Sequence, residues 1–243
     1  MTAAERALEG QVALVTGAGR GIGRAIALAL AAQGAAVALA ARTRQQLAEV
    51  AAEIREHGGR ALAVPTDVTQ DAAVEAAVEQ TIAEFGRLDV LVTAAGTASF
   101  GPVTGTKPDD WDTMLAVNLR GVMVCCRAVL PVMVHQRRGT ILNVSSVAAH
   151  RFIPGSAAYA ATKAGVVVWS RVLREEVRAE GVRVGVLVLG AVDTPLWDAV
   201  PQGPDRSRML RPEDVARAAV LMVTLPPGAA LEDLTLLPAG GIL

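Results

Sequence analysis

Aromatic side chains are scarce: one tyrosine, three phenylalanines and three tryptophans in 243 residues. With 52% of the chain hydrophobic, the core must be built from small aliphatic residues, above all Ala, Val and Leu. Cysteine is limited to Cys125 and Cys126. Adjacent cysteines rarely pair, which excludes a disulfide framework and fits a reducing, cytoplasmic setting. Histidine is confined to His57, His135 and His150, with no spacing that could ligate a metal, so no metal site is expected. An excess of charge is missing as well. The formal net charge of −1 gives no electrostatic reason to expect nucleic acid or an anionic membrane as partner. The first ten residues, MTAAERALEG, carry Glu5, Arg6 and Glu9 and no apolar stretch, so no signal peptide is expected. Apolar segments are broken by Gln33, Arg127 and Gly185, and none reads as a membrane span.

The pattern that is present alternates. Short apolar runs predict strands at Gln11–Thr16, Ala35–Ala41, Ala61–Pro65, Val90–Ala94, Gly139–Ser145, Arg183–Leu189 and Leu234–Leu237. Helical patterns fill Gly21–Gln33, Arg44–His57, Asp71–Phe85, Asp109–Gln136, Ala157–Glu180 and Pro212–Leu225. Strand alternating with helix implies right-handed crossovers and a seven-stranded parallel sheet with helices on both faces, a doubly wound α/β fold. No repeat, low-complexity tract or linker divides the chain, so one domain is expected over residues 1–243, with 1–9 as an N-terminal extension.

Between the first strand and the first helix lies TGAGRGIG. Missing side chains at Gly17, Gly19, Gly21 and Gly23 let the backbone approach a pyrophosphate, whose charge sits at the helix N-terminus. Such a turn can also serve a methyltransferase, or tight packing alone. The segment SAAYAATKAG is more specific. It sets Tyr159, the only tyrosine, four residues before Lys163, so on a helix both lie on one face. A free phenol titrates near pH 10 and is a poor base at pH 7; a neighbouring ammonium favours phenolate, and a shift of about 3 units is worth roughly 4 kcal/mol. A core tyrosine beside a surface lysine would give the same spacing. GTILNVSS ends in Ser145 and Ser146, thirteen residues before Tyr159, where a hydroxyl can bond a substrate carbonyl; Ser146 is the candidate and Ser145 the fallback. Asn118 stands inside the helical pattern WDTMLAVNLRGVMVCC. Asn competes for backbone groups and is a poor helix-interior residue, so its presence needs a reason, either a local bond or a function.

The spacing Gly17-x3-Gly21-x-Gly23 with Tyr159-x3-Lys163 resembles the short-chain dehydrogenase/reductase family, and the resemblance runs from Gly10 to Gly241. It implies a Rossmann-type fold and a catalytic tetrad of Asn118, Ser146, Tyr159 and Lys163. It also implies cofactor contacts from Gly17, Gly19, Arg20, Gly21, Ile22 and Gly23 in the glycine turn, from Asp67 and Val68 of TDVT at the adenine, and from Ala94, Ala95 and Gly96 after the fourth strand. Tyr159 and Lys163 are implied at the nicotinamide ribose, and Val192 and Thr194 of GAVDTP at the carboxamide. Two departures stand out. The family's Asn-Asn-Ala-Gly reads TAAG, Thr93 to Gly96, so two bracing amides are gone. The family's Pro-Gly after the sixth strand reads Leu189-Gly190.

Where an Asp or Glu usually holds the adenosine ribose, the chain reads Ala41, Arg42, Thr43, Arg44. A 2′-phosphate brings about two negative charges to that place, and Arg42 can take it in a fork of charge-assisted bonds, with Arg20 approaching from the other side and Thr43 adding a hydroxyl. Positive charge is unfavourable at a helix start, which counts against Arg42 and Arg44 as mere solvated residues. The expected cofactor is NADP(H) rather than NAD(H).

The expected activity is interconversion of a carbonyl and its alcohol by hydride transfer, with a small-molecule substrate. Alternatives are 3-oxoacyl-[acyl-carrier-protein] reduction, for which Arg137–Arg138 offers a basic cue, and a catalytically silent NADP(H) sensor. The segment 195–211, PLWDAVPQGPDRSRMLR, is expected to be a lid, with Leu196, Trp197 and Met209 as its apolar face and Arg206 and Arg208 as exposed trypsin sites. Val122, Val124, Val166, Val168 and Val172 suggest a second apolar face on the two long helices and a homotetramer or homodimer. Trp111 and Trp169 read as core or interface, and the cysteines as packing. His150 either lines the pocket or lies on the surface.

Overall fold

The computed structural model describes residues 6–198, 200 and 205–241. Among them seven strands form one all-parallel sheet: β1 (Val12–Thr16), β2 (Ala36–Ala41), β3 (Arg60–Pro65), β4 (Val90–Thr93), β5 (Gly139–Ser146), β6 (Val182–Leu189) and β7 (Asp233–Leu236), in the order 3-2-1-4-5-6-7. The doubly wound fold expected from the sequence is the one observed, and each strand end falls within one residue of its predicted place. Pro65 is tolerated because β3 is an edge strand, where no ladder hydrogen bond is lost.

Alternation along the strands sorts the core into two layers. Ala13, Val15, Val37 and Leu39 face helices α1 (Gly21–Ala32), α2 (Arg44–Glu56) and α7 (Pro212–Val223), whose Ile26, Leu30, Leu47, Val50 and Val215 cover them. Val12, Leu14, Ala36 and Ala38 face the other way, under α3 (Asp71–Phe85), α5 (Gly121–His135) and α6 (Ala157–Val177). The chain before β1 belongs to the first layer. Leu8 is fully buried and its amide donates to the Gln33 carbonyl, so the stretch is anchored through Leu8 while Arg6, Ala7 and Glu9 stay exposed; residues 1–5 of the expected extension lie outside the described residues.

One predicted helix is three elements. The stretch expected as Asp109–Gln136 runs as α4 (Pro108–Met114), a π-helical turn over Leu115–Arg120, and α5. Hydrophobic spacing cannot see an extra residue in one turn, and Asn118 sits in that turn. The whole rod, Pro108–His135, is 28 residues long and apolar enough by composition to cross a bilayer, contrary to the reading of its sequence. In the fold Val122, Cys125, Cys126, Val129 and Met133 spend that apolarity on the sheet. Helix α6 is likewise shorter than expected, tightening to a 3-10 turn at Arg178–Glu180.

Candidate active site

The strand order reverses between β1 and β4, and a crevice opens at the carboxyl ends of the strands there, as this topology requires. A cleft of about 680 Å³ occupies it. Gly17 leaves β1 at φ +68°, and a Cβ there would lie 2.8 Å from the Ala94 backbone. A Cβ at Gly23 would sit 2.3 Å from the Gly17 carbonyl oxygen. Both glycines are therefore required for β1, the start of α1 and the end of β4 to meet. No described side chain caps α1, so its N-terminal amides face the cleft without a protein acceptor.

Every expected cofactor residue lines this cleft: Gly17, Gly19, Arg20, Gly21, Ile22, Gly23, Arg42, Thr43, Asp67, Val68, Ala94, Ala95, Gly96, Val192 and Thr194. Arg20 and Arg42 are exposed at its outer end and make no ion pair among the described residues. The Asp67 carboxylate accepts from the Thr69 amide at 3.0 Å and hydroxyl at 2.8 Å. The Thr69 backbone bond chiefly lowers its pKa, with a smaller contribution from Arg42. Where the family's bracing amides are missing, other side chains hold the end of β4. Thr16 Oγ1 accepts from the amides of both Ala94 and Ala95 at 3.2 Å. Thr93 Oγ1 donates to Asn143 Oδ1 at 2.7 Å, and Asn143 Nδ2 donates to Ser170 at 2.8 Å. Gly190 keeps its amide bonded, to the Leu236 carbonyl at 2.9 Å, so the Leu189 departure leaves the strand end held.

Of the four expected tetrad residues, Ser146, Tyr159 and Lys163 line the cleft, and Asn118 lies buried outside its lining. Helix α6 presents Tyr159 and Lys163 on one face, and Ser146 ends β5 beside them. Of the two serines, Ser145 is buried and donates to the Lys163 carbonyl at 3.0 Å, whereas Ser146 lines the cleft with Tyr159, its Oγ accepting from the Ala148 amide at 3.2 Å. Lys163 is buried and donates to the Val144 carbonyl at 3.2 Å; burial lowers its pKa to about 8. Burial pushes the Tyr159 phenol up, with the Ser146 hydroxyl acting weakly the other way, so the lowered phenol pKa expected from the spacing is not what the structure has. An ammonium depressed by its own burial, 5.8 Å from the centre of the ring, is a weak acidifying partner.

Asn118 is fully buried, and its amide is engaged on both sides. Oδ1 accepts from the Thr97 amide and Nδ2 donates to the Thr97 carbonyl, both at 2.8 Å, with a further bond to Thr162 at 3.3 Å. It clasps the loop after β4, through bonds to residues 21 and 44 positions away rather than the local backbone bond that its helical context offered. Residues that line the cleft and were not singled out from the sequence include Gln46, Thr66 and Phe100. Phe100 packs against Tyr159 at 5.6 Å and stacks on Trp197 at 5.7 Å; nothing in TASFGP signals this.

Other expectations move. His150 is exposed and does not line the cleft. Arg137 and Arg138 lie before β5, at the end of the sheet opposite the cleft, with Arg137 paired to Glu180 at 2.6 Å, so they form no patch at its mouth. Val122, Val124 and Val166 are core, leaving Val168 and Val172, 61% and 53% exposed, as the outward apolar pair on α6. In the segment 195–211, Leu196 and Trp197 line the cleft, but Met209 is buried at its base. Arg206 is bound to Asp193 at 2.5 Å and Asp198 at 2.8 Å rather than free. Residues 199 and 201–204 lie outside the described set.

A phosphate-ready glycine turn at the sheet's crossover, feeding a serine, tyrosine and lysine cluster, defines a dinucleotide-dependent oxidoreductase of the Rossmann type. Residues 11–205 match the short chain dehydrogenase family model, and the chain belongs to that family. It is 37% identical to a 3-oxoacyl-[acyl-carrier-protein] reductase of Synechocystis, covering 98% of both chains. It is 35% identical to an uncharacterized oxidoreductase of Staphylococcus aureus, covering 95% of this chain and 98% of the relative. Among solved structures, a metagenomic short-chain oxidoreductase in complex with NADP superposes with a TM-score of 0.85 at 36% identity, over 96% of this chain and 99% of that one. An alcohol dehydrogenase of Thermococcus sibiricus, complexed with 5-hydroxy-NADP, gives 0.88 at 33% identity, over 94% and 97%.

Proposed function

We propose that the protein is an NADP(H)-dependent reductase/dehydrogenase that interconverts a small ketone or aldehyde and its alcohol. The observation that carries the reading is the single cleft in which an uncapped glycine turn and two unpaired arginines at one end lead to Ser146, Tyr159 and Lys163 at the other. The residues fit the cofactor: the α1 amides suit a pyrophosphate, and Arg20 and Arg42 suit a 2′-phosphate better than a ribose hydroxyl, which favours NADP(H) over NAD(H). The NADP complexes of the two structural neighbours support the same choice.

When bound, the nicotinamide supplies the hydride in reduction and accepts it in oxidation. The chain does the rest. Tyr159 hands a proton to the carbonyl oxygen, or takes it from the alcohol; a phenol kept protonated by burial is ready for the first direction. Ser146 Oγ bonds the same oxygen and fixes its distance from the phenol. Lys163 would hold the cofactor's ribose hydroxyls, acceptors that would raise its pKa back from about 8 and make it a better partner for phenolate. Asn118, through Thr97, holds the wall of the cleft, and the widened turn around it would be where a water relay to solvent is anchored. Val168 and Val172 form the patch through which two α6 helices would pair in a homodimer or tetramer. The two buried thiols, neither in a disulfide, are consistent with residence in the cytoplasm.

The test is Tyr159→Phe. Turnover of ketones with NADPH should fall by on the order of a hundredfold or more while the NADPH dissociation constant stays within a small factor. Retained turnover would overturn the assignment. The Synechocystis relative puts acyl thioesters on the substrate panel beside ketones.

A further inference from the structure

The cleft has two unlike ends. Its charged lining residues are Arg20, Arg42 and Asp67 at the outer end and Lys163 beneath Tyr159. Beyond Tyr159, among the described residues, the lining includes Phe100, Val147, Ile153, Leu196 and Trp197, with the hydroxyls of Thr113 and Ser156 among the lining and no charged side chain. Asp193 and Asp198, in the segment that carries Trp197, are both paired with Arg206. Residues 199 and 201–204 of the same segment are Ala, Pro, Gln, Gly and Pro and bring none.

Three of the chain's few aromatic rings meet at this end. The Phe100 ring lies tilted at 57° against Tyr159 and parallel, within 2°, to Trp197. A centroid separation of 5.7 Å between parallel rings is an offset stack, which leaves part of each face open to another ring. Both rings are held. The Trp197 indole donates to the Val192 carbonyl at 2.9 Å. The Phe100 loop is fixed on one side by the Asn118–Thr97 clasp and on the other by the Gly101 amide, which donates to the Gly155 carbonyl at 2.8 Å.

We infer that Phe100 and Trp197 set substrate choice, and that the substrate is an uncharged carbonyl or alcohol attached directly to a flat unsaturated ring. The inference rests on the proposed carbonyl chemistry at Tyr159 and adds the class of compound that reaches it. A ring laid on the Phe100–Trp197 wall and a carbonyl one bond away match the two tasks of stacking on Phe100 and meeting the phenol that Phe100 touches. A carboxylate at this end would be desolvated with no described cation to pair it.

The experiment is calorimetric titration of the enzyme saturated with NADP+ using three probes: acetophenone, its saturated counterpart cyclohexyl methyl ketone, and acetylbenzoate. Acetophenone should bind about fivefold more tightly than the saturated ketone, the size expected of aromatic pairing beyond burial. Acetylbenzoate should bind at least about tenfold more weakly than acetophenone. Phe100→Leu and Trp197→Leu should each bring the two neutral ketones within about twofold of one another. Equal or reversed affinities in the wild type, tight binding of acetylbenzoate, no binding of any probe, or a ring preference that survives both substitutions would overturn the inference. Titration reads binding alone. Failure of the carbonyl reading would appear separately, as a tightly bound ketone that NADPH does not reduce.

Discussion

Lys163 is a cation buried with no described anion beside it. Its one hydrogen bond is to the Val144 carbonyl, its side chain is 6% exposed, and burial takes its pKa from an ordinary 10.5 to about 8. Lys163→Met keeps much of the volume and removes the charge. In the unfolded chain the lysine titrates near 10.5, so between about pH 8 and 10.5 the unfolded state holds a proton that the folded state has released. Wild-type stability therefore rises with pH across that window, and below it the full cost of the buried charge persists. That cost is about 3 kcal/mol at pH 7 and about 1.5 kcal/mol at pH 9.5. The lost bond to Val144 costs the variant about 1 kcal/mol at either pH and cancels from the comparison. Urea unfolding without NADP(H) should show the variant's advantage over wild type to be about 2 kcal/mol larger at pH 7 than at pH 9.5. The same advantage at both values, or a larger one at pH 9.5, would refute the reasoning. Saturating NADPH should narrow the gap at pH 7, because ribose hydroxyls would give the ammonium the acceptors it lacks.

Arg42→Asp should swing the ratio of kcat/KM for NADPH over NADH by about ten- to a hundredfold toward NADH, the loss of charge-assisted bonds in a partly screened site; a wild type that already prefers NADH would defeat the phosphate reading. Trypsin should cut after Arg208 before Arg206, which Asp193 and Asp198 hold, and NADP(H) with substrate should slow both cuts; rates indifferent to ligand would mean the segment is not a gated lid. Light scattering at micromolar concentration should give a dimer or tetramer, and Val168→Asp with Val172→Asp should lower the mass; a monomeric wild type would remove the proposed α6 pairing.

The strands were readable because short Val, Ala and Leu runs alternate with helical patterns, and β-layers built from them admit few other readings. The glycine turn and the Tyr159/Lys163 pair were readable for a different reason, since each needs particular residue types at a fixed spacing. What escaped was whatever depends on distant neighbours. Adjacent residues of a strand point to opposite faces, so Ser145 and Ser146 are distinguished only once α6 lies against one of them. Arg137 and Arg138 are two basic residues in sequence but belong to the wrong end of β5. The direction of the Tyr159 shift follows from burial, which a four-residue spacing does not encode. The five valines look alike on helical patterns, yet packing sends three inward and leaves two outside.

The widened turn at Leu115–Arg120 gives the rod Pro108–His135 one spare residue. Elsewhere in a helix each residue carries about 100° of rotation, so losing one from α5 would turn Val122, Cys126, Val129 and Met133 off the sheet. Losing one inside the wide turn lets that turn relax to an ordinary one while the helix on either side keeps its phase. The loss falls instead on the Asn118–Thr97 clasp. At this one place chain length is a free variable for the fold and a fixed one for the site, so a shortening there separates the two.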